Sequence, residues 1–511
     1  MPEIDLEDAV TPLVMAVDIG SSSVRALLYD TAGRVVTGTE HQIRHALETS
    51  PDGGSTADPD HLVSLVHSCI DHALANTGIR RGDIRAVGLT SFWHSLMGLD
   101  EDREPATHVL MWADKRSGDD ALALERALDA DRIHTETGCR LHSSYWPAKL
   151  RWLRRTDPDA YASTKTWVSF VDYLSWTIHH ELSTSISMAS GTGLLHSSGA
   201  HWHDELLTVL EITIEQLPKL TDRDVAFPPP IEEFRVRWPD LANAAWHPAI
   251  GDGAAANVGA GCVGADRIAL TIGTSGAMRV IIGDETDHEP VSQPLSPKLW
   301  QYRLDRRHRV AGGALSNGGN ITYWLADLTQ DHDFDALTEA ASAIEADGHG
   351  LTVLPFFAGE RSPSWNDQLT GTISGLSLGT TAGELFRAFL EATAYRFASI
   401  YEDLRALALA DHDIHANGGA ALRSPLWLQI LSDSLNHQIH ALDAEAEASA
   451  RGAAISALES IRAIDSLLEP ETTIVRSYEP DENRHAIYVA GRQRLERYER
   501  ALVKLGSTGV V

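Results

Sequence analysis

Near its N-terminus the chain reads Val17-Asp18-Ile19-Gly20-Ser21-Ser22-Ser23, and about half a chain later it reads Leu270-Thr271-Ile272-Gly273-Thr274-Ser275-Gly276. Each copy joins two apolar stretches through glycine and hydroxyl residues, which is the pattern of a β-hairpin. Because both the motif and its flanks repeat, we interpret the chain as two related domains that each open with such a hairpin. The alternative is a chance similarity between two strand-turn-strand units.

The length of the chain agrees with this duplication. Its 511 residues exceed an ordinary single domain, and the 43% hydrophobic content is ample for two cores. Apolar runs of strand length alternate with helical periodicity, which indicates an α/β fold. We therefore expect an N-terminal domain over residues 1–249 and a C-terminal domain over residues 250–511, with the boundary near Pro248 to Gly251.

Charge and cysteine content exclude several classes of protein. A net charge of -30 argues against nucleic acid or an anionic membrane as a partner, because binding to phosphates needs clustered Lys and Arg. The 3 cysteines are far apart, so a disulfide framework is not expected. The N-terminus is acidic, unlike a signal peptide, and no apolar run approaches the roughly 20 residues of a membrane span. We expect a cytoplasmic protein.

The two glycine-hydroxyl turns are candidate phosphate sites. Glycine lets the backbone approach a ligand closely, successive N–H groups form an anion nest, and hydroxyls add donors. Two such turns in equivalent places can face each other across a cleft, which suits a triphosphate. The sequence has no P-loop motif. A GxGxxG at residues 259–264 follows a predicted helix and precedes a predicted strand, which is the reverse of a dinucleotide-binding unit.

Asp252 is the candidate catalytic residue. It lies in Gly251-Asp252-Gly253, at the start of a predicted helix and at the predicted domain boundary. An aspartate in this place is often an N-cap. A kinase, however, needs a carboxylate that accepts the proton of the attacking hydroxyl, and Asp252 is well placed for that role.

Several ordered motifs resemble those of the FGGY carbohydrate kinases, and the resemblance covers nearly the whole chain. Residues 18–25 look like the first phosphate motif, residues 271–276 like the second, and residues 417–424 like the adenosine motif. Residues 371–391 are similar to the C-terminal signature, with Phe389 in place of a smaller residue. The N-terminal signature is kept at residues 149–153 but has Trp146 where Pro, Ser or Thr is usual, which leaves the register around Ser144 and Tyr145 open.

The resemblance implies duplicated actin-like ATPase domains, of the ribonuclease H-like type, on either side of a deep cleft. The N-terminal domain would bind mainly the sugar and the C-terminal domain mainly ATP, with Mg²⁺ held by Asp18 through water and Asp252 acting as the base. The implied nucleotide-binding residues are Asp18, Gly20, Ser21, Ser22, Ser23, Arg25, Gly273, Thr274, Gly319, Gly419 and Arg423. The implied substrate-binding residues are Trp93, His94, Trp112, Asp114, Arg116, Tyr145 and Gly253. Without the resemblance, the tryptophans could be core residues, and Asp114 and Arg116 a solvated ion pair.

Within the family, the resemblance is closest to gluconokinases, through residues 270–280, 312–319 and 354–363. A carboxylate substrate needs a cation, which Lys115, Arg116 or Arg361 could supply. We expect phosphorylation of a small-molecule sugar or sugar acid, with gluconate as the leading substrate. The alternatives are a xylulokinase or another ketose or polyol kinase, and an actin- or Hsp70-like ATPase without a small-molecule acceptor. A homodimer is left open.

Overall fold

The computed structural model describes residues 3–75, 78, 82–283, 295–330, 332–357, 359–366, 369–443 and 448–507. The strands of the first half are β1 (Glu3–Ile4), β2 (Leu13–Ile19), β3 (Ser23–Tyr29), β4 (Val35–Val36), β5 (His41–Arg44), β6 (Glu48–Thr49), β7 (Ser55–Ala57), β8 (Ile84–Ser91), β9 (Met97–Leu99), β10 (Val109–Leu110), β11 (Thr166–Val168), β12 (Ser183–Ser185), β13 (Leu195–His196), β14 (His201–Trp202), β15 (Lys219–Thr221), β16 (Ala245–Trp246) and β17 (Ile250–Gly251). Those of the second half are β18 (Gly264–Ile272), β19 (Gly276–Gly283), β20 (Trp300–Arg303), β21 (His308–Leu315), β22 (Thr352–Leu354), β23 (Thr372–Ser374), β24 (Asp413–Asn417), β25 (Ile439–Leu442) and β26 (Ile474–Tyr478).

The α-helices are distributed over both halves of the chain. They are α1 (Pro59–Leu74), α2 (Gly118–Ala127), α3 (Ala130–Thr137), α4 (Trp146–Thr156), α5 (Pro158–Ser163), α6 (Phe170–His179), α7 (Ile186–Ser190), α8 (Asp204–Leu210), α9 (Glu232–Arg237), α10 (Asp252–Gly259), α11 (Gly319–Thr329), α12 (Phe334–Ser342), α13 (Ala382–Leu404), α14 (Gly419–Leu422), α15 (Pro425–Leu435), α16 (Ala448–Ser460) and α17 (Glu482–Ser507). Short 3₁₀ turns cover Ile214–Gln216 and Arg405–Leu407. Within the described ranges, every helix is too short or too polar to span a lipid bilayer.

Two sheets of the same design form the centres of the two halves. In the first sheet, β2 and β3 form an antiparallel hairpin, and β8 lies parallel to β2 on its other side. In the second sheet, β18 and β19 form the hairpin and β24 lies parallel to β18. The strand orders are β1-β4-β3-β2-β8-β16 and β20-β21-β19-β18-β24-β25-β26. The repeated arrangement confirms that the hairpin motif marks a duplicated architecture.

Burial explains why the first strands of the hairpins read as nearly continuous apolar runs. Leu13, Val14, Met15 and Ala16 on β2 are all fully buried, although their side chains alternate between the two faces of the sheet. A strand that has a parallel neighbour and is covered on both faces has no solvent side on which polar residues would be favoured.

The chain crosses back between the two halves through α16. This helix comes late in the sequence, yet it packs against α10 and against β2 and β8 of the first sheet. Ala450, Ala453 and Ile455 are buried in the same hydrophobic core as β2. We propose the domain boundary at residue 250, the first residue of β17 and just before α10, with α16 as a return element that covers the N-terminal sheet.

The helices α10 and α16 touch backbone to backbone. A Cβ atom added at Gly452 would lie 1.8 Å from the carbonyl oxygen of Ala255, and one added at Gly259 would lie 1.9 Å from that of Ala448. Only glycine allows an approach this close. Gly259 of the GxGxxG at residues 259–264 therefore serves helix packing, and the order of helix α10 followed by strand β18 confirms that the motif is not a dinucleotide-binding one.

This packing predicts the effect of a single added methyl group. Gly452→Ala should destabilise the protein by about 1–3 kcal/mol, because overpacking forces the two helices apart. Thermal unfolding of the variant and of Gly118→Ala, whose added Cβ would have nothing within 4 Å, provides the matched comparison. Equal melting temperatures for both variants would contradict a tight contact between α10 and α16.

Candidate functional site

A cavity of about 170 Å³ lies where the two hairpin turns approach each other. Ser21 of the first turn and Ser275 of the second both line it, together with Asp252 at the first position of α10. The arrangement brings a candidate base and two candidate phosphate-binding turns to one place. The cavity therefore has the parts that phosphoryl transfer needs.

Asp252 owes its position to the strand before it. β17 pairs in parallel with the end of β8, and the chain enters α10 directly from Gly251, which occupies the N-cap position without a side-chain bond. The carboxylate accepts a hydrogen bond from the Gly253 N–H at 2.7 Å. Burial raises the pKa of Asp252, while the charges of Arg279 and Arg361 lower it. Asp252 is thus held beside the cavity with the two arginines as its counter-charges.

Asp18 is a second carboxylate at the same cleft. It lies at the end of β2, opposite Arg25 on β3, and burial raises its pKa to about 7. The charge of Asp252 raises this pKa further, and the charge of Arg25 lowers it. Two carboxylates that repel each other in a partly buried cleft fit a hard divalent cation such as Mg²⁺, which binds oxygen ligands and retains water. The donor set therefore fits the ion that the sequence implies.

Trp93 and His94 follow β8 and form one wall of the cavity. The Trp93 indole N–H donates to the carbonyl of Ser187 at 2.9 Å, which fixes the ring. The ring lies against the backbone of α10, where a Cβ added at Gly253 would lie 2.7 Å from it. Gly253 is therefore needed for the close approach of α10 to the aromatic wall.

His94 is a neutral imidazole with one nitrogen already used. Its backbone has a φ of 71°, and its Nδ1–H donates to the carbonyl of Gly191. Burial lowers the pKa of His94 to about 3. Nδ1 therefore carries the proton, and Nε2 is a hydrogen-bond acceptor on a ring that lines the cavity. An acceptor of this kind suits a sugar hydroxyl.

The lining also contains Arg279, Trp300 and Tyr302, which the sequence reasoning did not name as site residues. Trp300 and Tyr302 stack with ring centroids 4.1 Å apart, and the Tyr302 hydroxyl lies 2.6 Å from that of Tyr145. Tyr145 thus adjoins the cavity as the next aromatic ring behind Tyr302. Arg279 could have been found from the sequence, because it is the one charged residue in the otherwise apolar strand β19. Trp300 and Tyr302 lie on a short strand without any motif.

Among the candidate cations, Arg361 lines the cavity. Its guanidinium lies over the ring of Trp112, 4.7 Å from the centroid, which places Trp112 in the same wall. Arg116 instead pairs with Asp114, with its Nε 3.0 Å from Oδ1, and its guanidinium lies 4.4 Å from the ring centroid of Trp152. Asp114, Arg116 and Lys115 are outside the cavity lining.

On the nucleotide side, the first turn is closed by the Gly20 N–H, which donates to Ser23 at 2.9 Å. Ser22 is exposed at its tip. Ser23 accepts from the side chain of Gln42, and Arg25 pairs with Glu40 at 3.2 Å. The first turn is thus stabilised by contacts of its own strands, and Ser21 and Ser22 are its residues nearest the cleft or solvent.

The second turn meets two further glycine segments. The Gly273 N–H donates to Ser275 at 3.0 Å, and the carbonyl of Gly273 accepts from Gly319 at 2.8 Å. Thr274 is exposed beside it, and its carbonyl accepts from Asn320. A Cβ added at Gly319 would lie 2.8 Å from the Cβ of Ala420, which follows Gly419 at the start of α14. The second phosphate motif and the adenosine motif therefore touch each other.

A separate cavity of about 220 Å³ lies beside this junction. Ala420 and Arg423 line it from the adenosine motif, and Tyr323 and Phe334 line it from α11 and α12. Arg423 donates to the Tyr323 hydroxyl at 3.3 Å. A space with aromatic walls at this place is suited to a purine ring.

Comparisons with known proteins agree with this geometry. Residues 13–226 match the model of the N-terminal domain of the FGGY family of carbohydrate kinases, and residues 268–460 match that of its C-terminal domain. The chain is 27% identical to a gluconokinase of Bacillus subtilis, with 89% of each covered, and 26% identical to a xylulose kinase of Escherichia coli, with 96% of this chain and 100% of that protein covered. It superposes on the crystal structure of a gluconate kinase from Lactobacillus acidophilus with a TM-score of 0.86 at 25% identity, covering 96% and 98% of the two chains.

These matches confirm the predicted fold, two actin-like ATPase domains in the arrangement of this family. They also rule out the alternative of an actin- or Hsp70-like ATPase without a small-molecule acceptor, because the matched family acts on carbohydrates. The duplicated hairpins, the facing turns and the two domain matches lead to one conclusion. This chain belongs to the FGGY family of carbohydrate kinases and is a sugar kinase.

Proposed function

We propose that this sugar kinase transfers the γ-phosphoryl group of ATP to the primary hydroxyl of an open-chain sugar acid, with gluconate as the substrate and 6-phosphogluconate as the product. The observation that carries the proposal is the presence of two arginines, Arg279 and Arg361, in the lining of the cavity that holds Asp252. Besides facing Asp252, either guanidinium can pair with a carboxylate on a substrate in the cavity.

In the proposed mechanism Asp252 accepts the proton of the acceptor hydroxyl as its oxygen attacks the γ-phosphorus. The new oxygen–phosphorus bond forms as the bond to the β–γ bridging oxygen breaks, and ADP leaves. The Gly20 and Gly273 N–H groups close their own turns, so other donors of the two turns, such as Ser21 and Ser275, would contact the phosphate oxygens. Asp18 together with Asp252 would hold Mg²⁺ through water. Bound there, Mg²⁺ would neutralise charge on the transferred phosphoryl group. His94 Nε2 accepts a hydrogen bond from a hydroxyl of the sugar and so orients it.

The arrangement favours an acid over a neutral sugar for an energetic reason. A buried guanidinium that loses its partner on substrate exchange costs several kcal/mol, which corresponds to orders of magnitude in kcat/KM. A xylulokinase is the alternative, and the match to the Escherichia coli xylulose kinase over its full length supports it. Sequence identities of 27% and 26% do not separate the two substrates, so the charge of the cavity is the better guide.

Loss of the proposed base should affect turnover and not binding. Asp252→Asn keeps the shape of the side chain but removes the proton acceptor, so kcat should fall by roughly 10²–10⁴-fold. Steady-state ADP release measures kcat, and calorimetric titration with gluconate measures binding. Asp119→Asn, at an exposed position on α2, is the matched control. Near-normal turnover of Asp252→Asn would show that another group takes the proton.

Substrate preference should depend on the two cavity arginines. We expect kcat/KM for gluconate to exceed that for xylulose and glycerol by at least roughly 10²-fold, because leaving a buried charge unpaired is costly. Arg279→Gln and Arg361→Gln should each shrink this ratio, whereas Arg126→Gln, at an exposed position on α2, should leave it unchanged.

A neutral ketose or polyol that is used better than gluconate would overturn the proposed substrate and leave the sugar kinase activity in place. A ratio that both arginine variants preserve would show that the discrimination against neutral sugars has another source.

The Asp18 carboxylate should lower the stability of the protein when neither nucleotide nor metal is bound. Its pKa in the folded protein is about 7 against an ordinary 3.8, so the folded state binds the extra proton between these values and the free energy of unfolding falls as pH rises through them. Asp18→Asn removes this titration. The variant should therefore melt at a higher temperature than the wild type at pH 8, and the difference should disappear near pH 4. A variant that is less stable at pH 8 would contradict the raised pKa of Asp18, which is caused first by burial and then by the charge of Asp252.

A further inference from the structure

A cavity of about 830 Å³ lies in the second half of the chain and shares no lining residue with the active-site cavity or with the cavity beside the adenosine motif. Its walls are the end of α13, the 3₁₀ turn Arg405–Leu407, the end of α15 and the first half of α17. The volume is in the range of roughly 300–1,000 Å³ that small-molecule sites occupy. The proposed catalytic mechanism gives this cavity no role.

The lining carries a surplus of positive charge in a protein whose net charge is -30. Glu402, the acidic residue of the described lining, is neutralised by an ion pair with Arg492. Arg405 has no ion pair or side-chain hydrogen bond within the described residues and lines the cavity from the 3₁₀ turn. One guanidinium is therefore available to an anion that enters.

Two histidines of the lining each have one ring nitrogen fixed by the backbone. His437 donates from Nε2 to the carbonyl of His412 at 2.8 Å, and His485 donates from Nδ1 to the carbonyl of Asp433 at 2.9 Å. The remaining nitrogens are His437 Nδ1 and His485 Nε2. Burial lowers the pKa of His437, and on neutral rings these two nitrogens are hydrogen-bond acceptors.

A buried hydroxyl at the inner wall points independently to a ligand. Ser434, at 6% exposure, lines the cavity, and its Oγ has no hydrogen-bond partner within the described residues. A buried hydroxyl without a partner costs free energy unless something completes its hydrogen bond. An oxygen of an anion bound in this cavity would accept from Ser434 and complete it.

The geometry points to a second binding site in this cavity, for a small molecule that carries a phosphate group. A phosphate can accept from Arg405 and Ser434 and, through a P–O–H group, donate to a histidine nitrogen, whereas an ionised carboxylate has no proton to donate. The volume left beyond the phosphate leaves room for a sugar. The site would couple this kinase to free phosphate or to a phosphorylated sugar.

The test is calorimetric titration of the full-length protein with inorganic phosphate, in the presence of a saturating non-hydrolysable ATP analogue that fills the phosphate positions of the active site. Saturable binding is expected. Arg405→Ala should weaken it about tenfold, the effect of losing one charge-assisted hydrogen bond. Ser434→Ala should weaken it as well. Arg497→Ala, which removes the same charge at an exposed position of α17 outside the lining, should have no effect.

A parallel titration with ribose 5-phosphate distinguishes the two sources of the phosphate. If ribose 5-phosphate binds more tightly than inorganic phosphate, and Arg405→Ala again weakens this binding, the rest of the cavity is assigned to the sugar. If the two ligands bind equally tightly, the site is assigned to phosphate alone. Absence of saturable binding, or equal binding by Arg405→Ala and Arg497→Ala, overturns the proposal. Arg405 is exposed and lies outside the active-site cavity, so kinase activity of the variant verifies that it is folded.

Discussion

The contact between α10 and α16 is the constraint on which the rest of the structure depends. The two helices approach so closely that Gly259 and Gly452 each lie against a backbone carbonyl of the other helix. α10 carries Asp252 at its first position, and α16 covers the first sheet through the same core as β2. The position of the candidate base is therefore set by backbone packing at the base of the cleft, where a side chain could not rotate to compensate for a shift.

Charge at the cleft shows how function competes with stability. Asp18 and Asp252 raise each other's energy in a partly buried place, while Arg279 and Arg361 provide only part of the compensation. Burial lowers the pKa of Arg279 to about 10, so this cation is also held at a cost. Groups that are unfavourable in the free protein and satisfied by nucleotide, metal and substrate are expected at a site that binds charged ligands. The charges of the site are therefore balanced only when nucleotide, metal and substrate are bound.

Local sequence patterns predicted the parts of the fold that depend on residues adjacent in sequence. Glycine and hydroxyl residues between apolar runs produce a hairpin wherever they occur, so the duplicated sheets could be recognised from residues 17–23 and 270–276. The role of α16 could not be recognised from the sequence, because its alanine-rich sequence does not reveal which sheet it covers. The part of the cavity wall that Trp300 and Tyr302 form was missed for the same reason, because these residues reach Trp93 only through tertiary structure. Arg116 and Arg361 look alike in sequence, but in the structure Arg116 pairs with Asp114 outside the cavity, whereas Arg361 lines it.

The return of α16 to the first sheet also has a consequence for biosynthesis. Gly88 on β8 is shaped for this helix, since a Cβ there would lie 2.3 Å from the carbonyl oxygen of Ala453. The ribosome makes β2, β3 and β8 hundreds of residues before it makes α16. During that interval an apolar face of the nascent sheet has no cover and is exposed to chaperones and to other nascent chains. The order of synthesis and the order of packing thus differ, and the first sheet is covered only after α16 has been made.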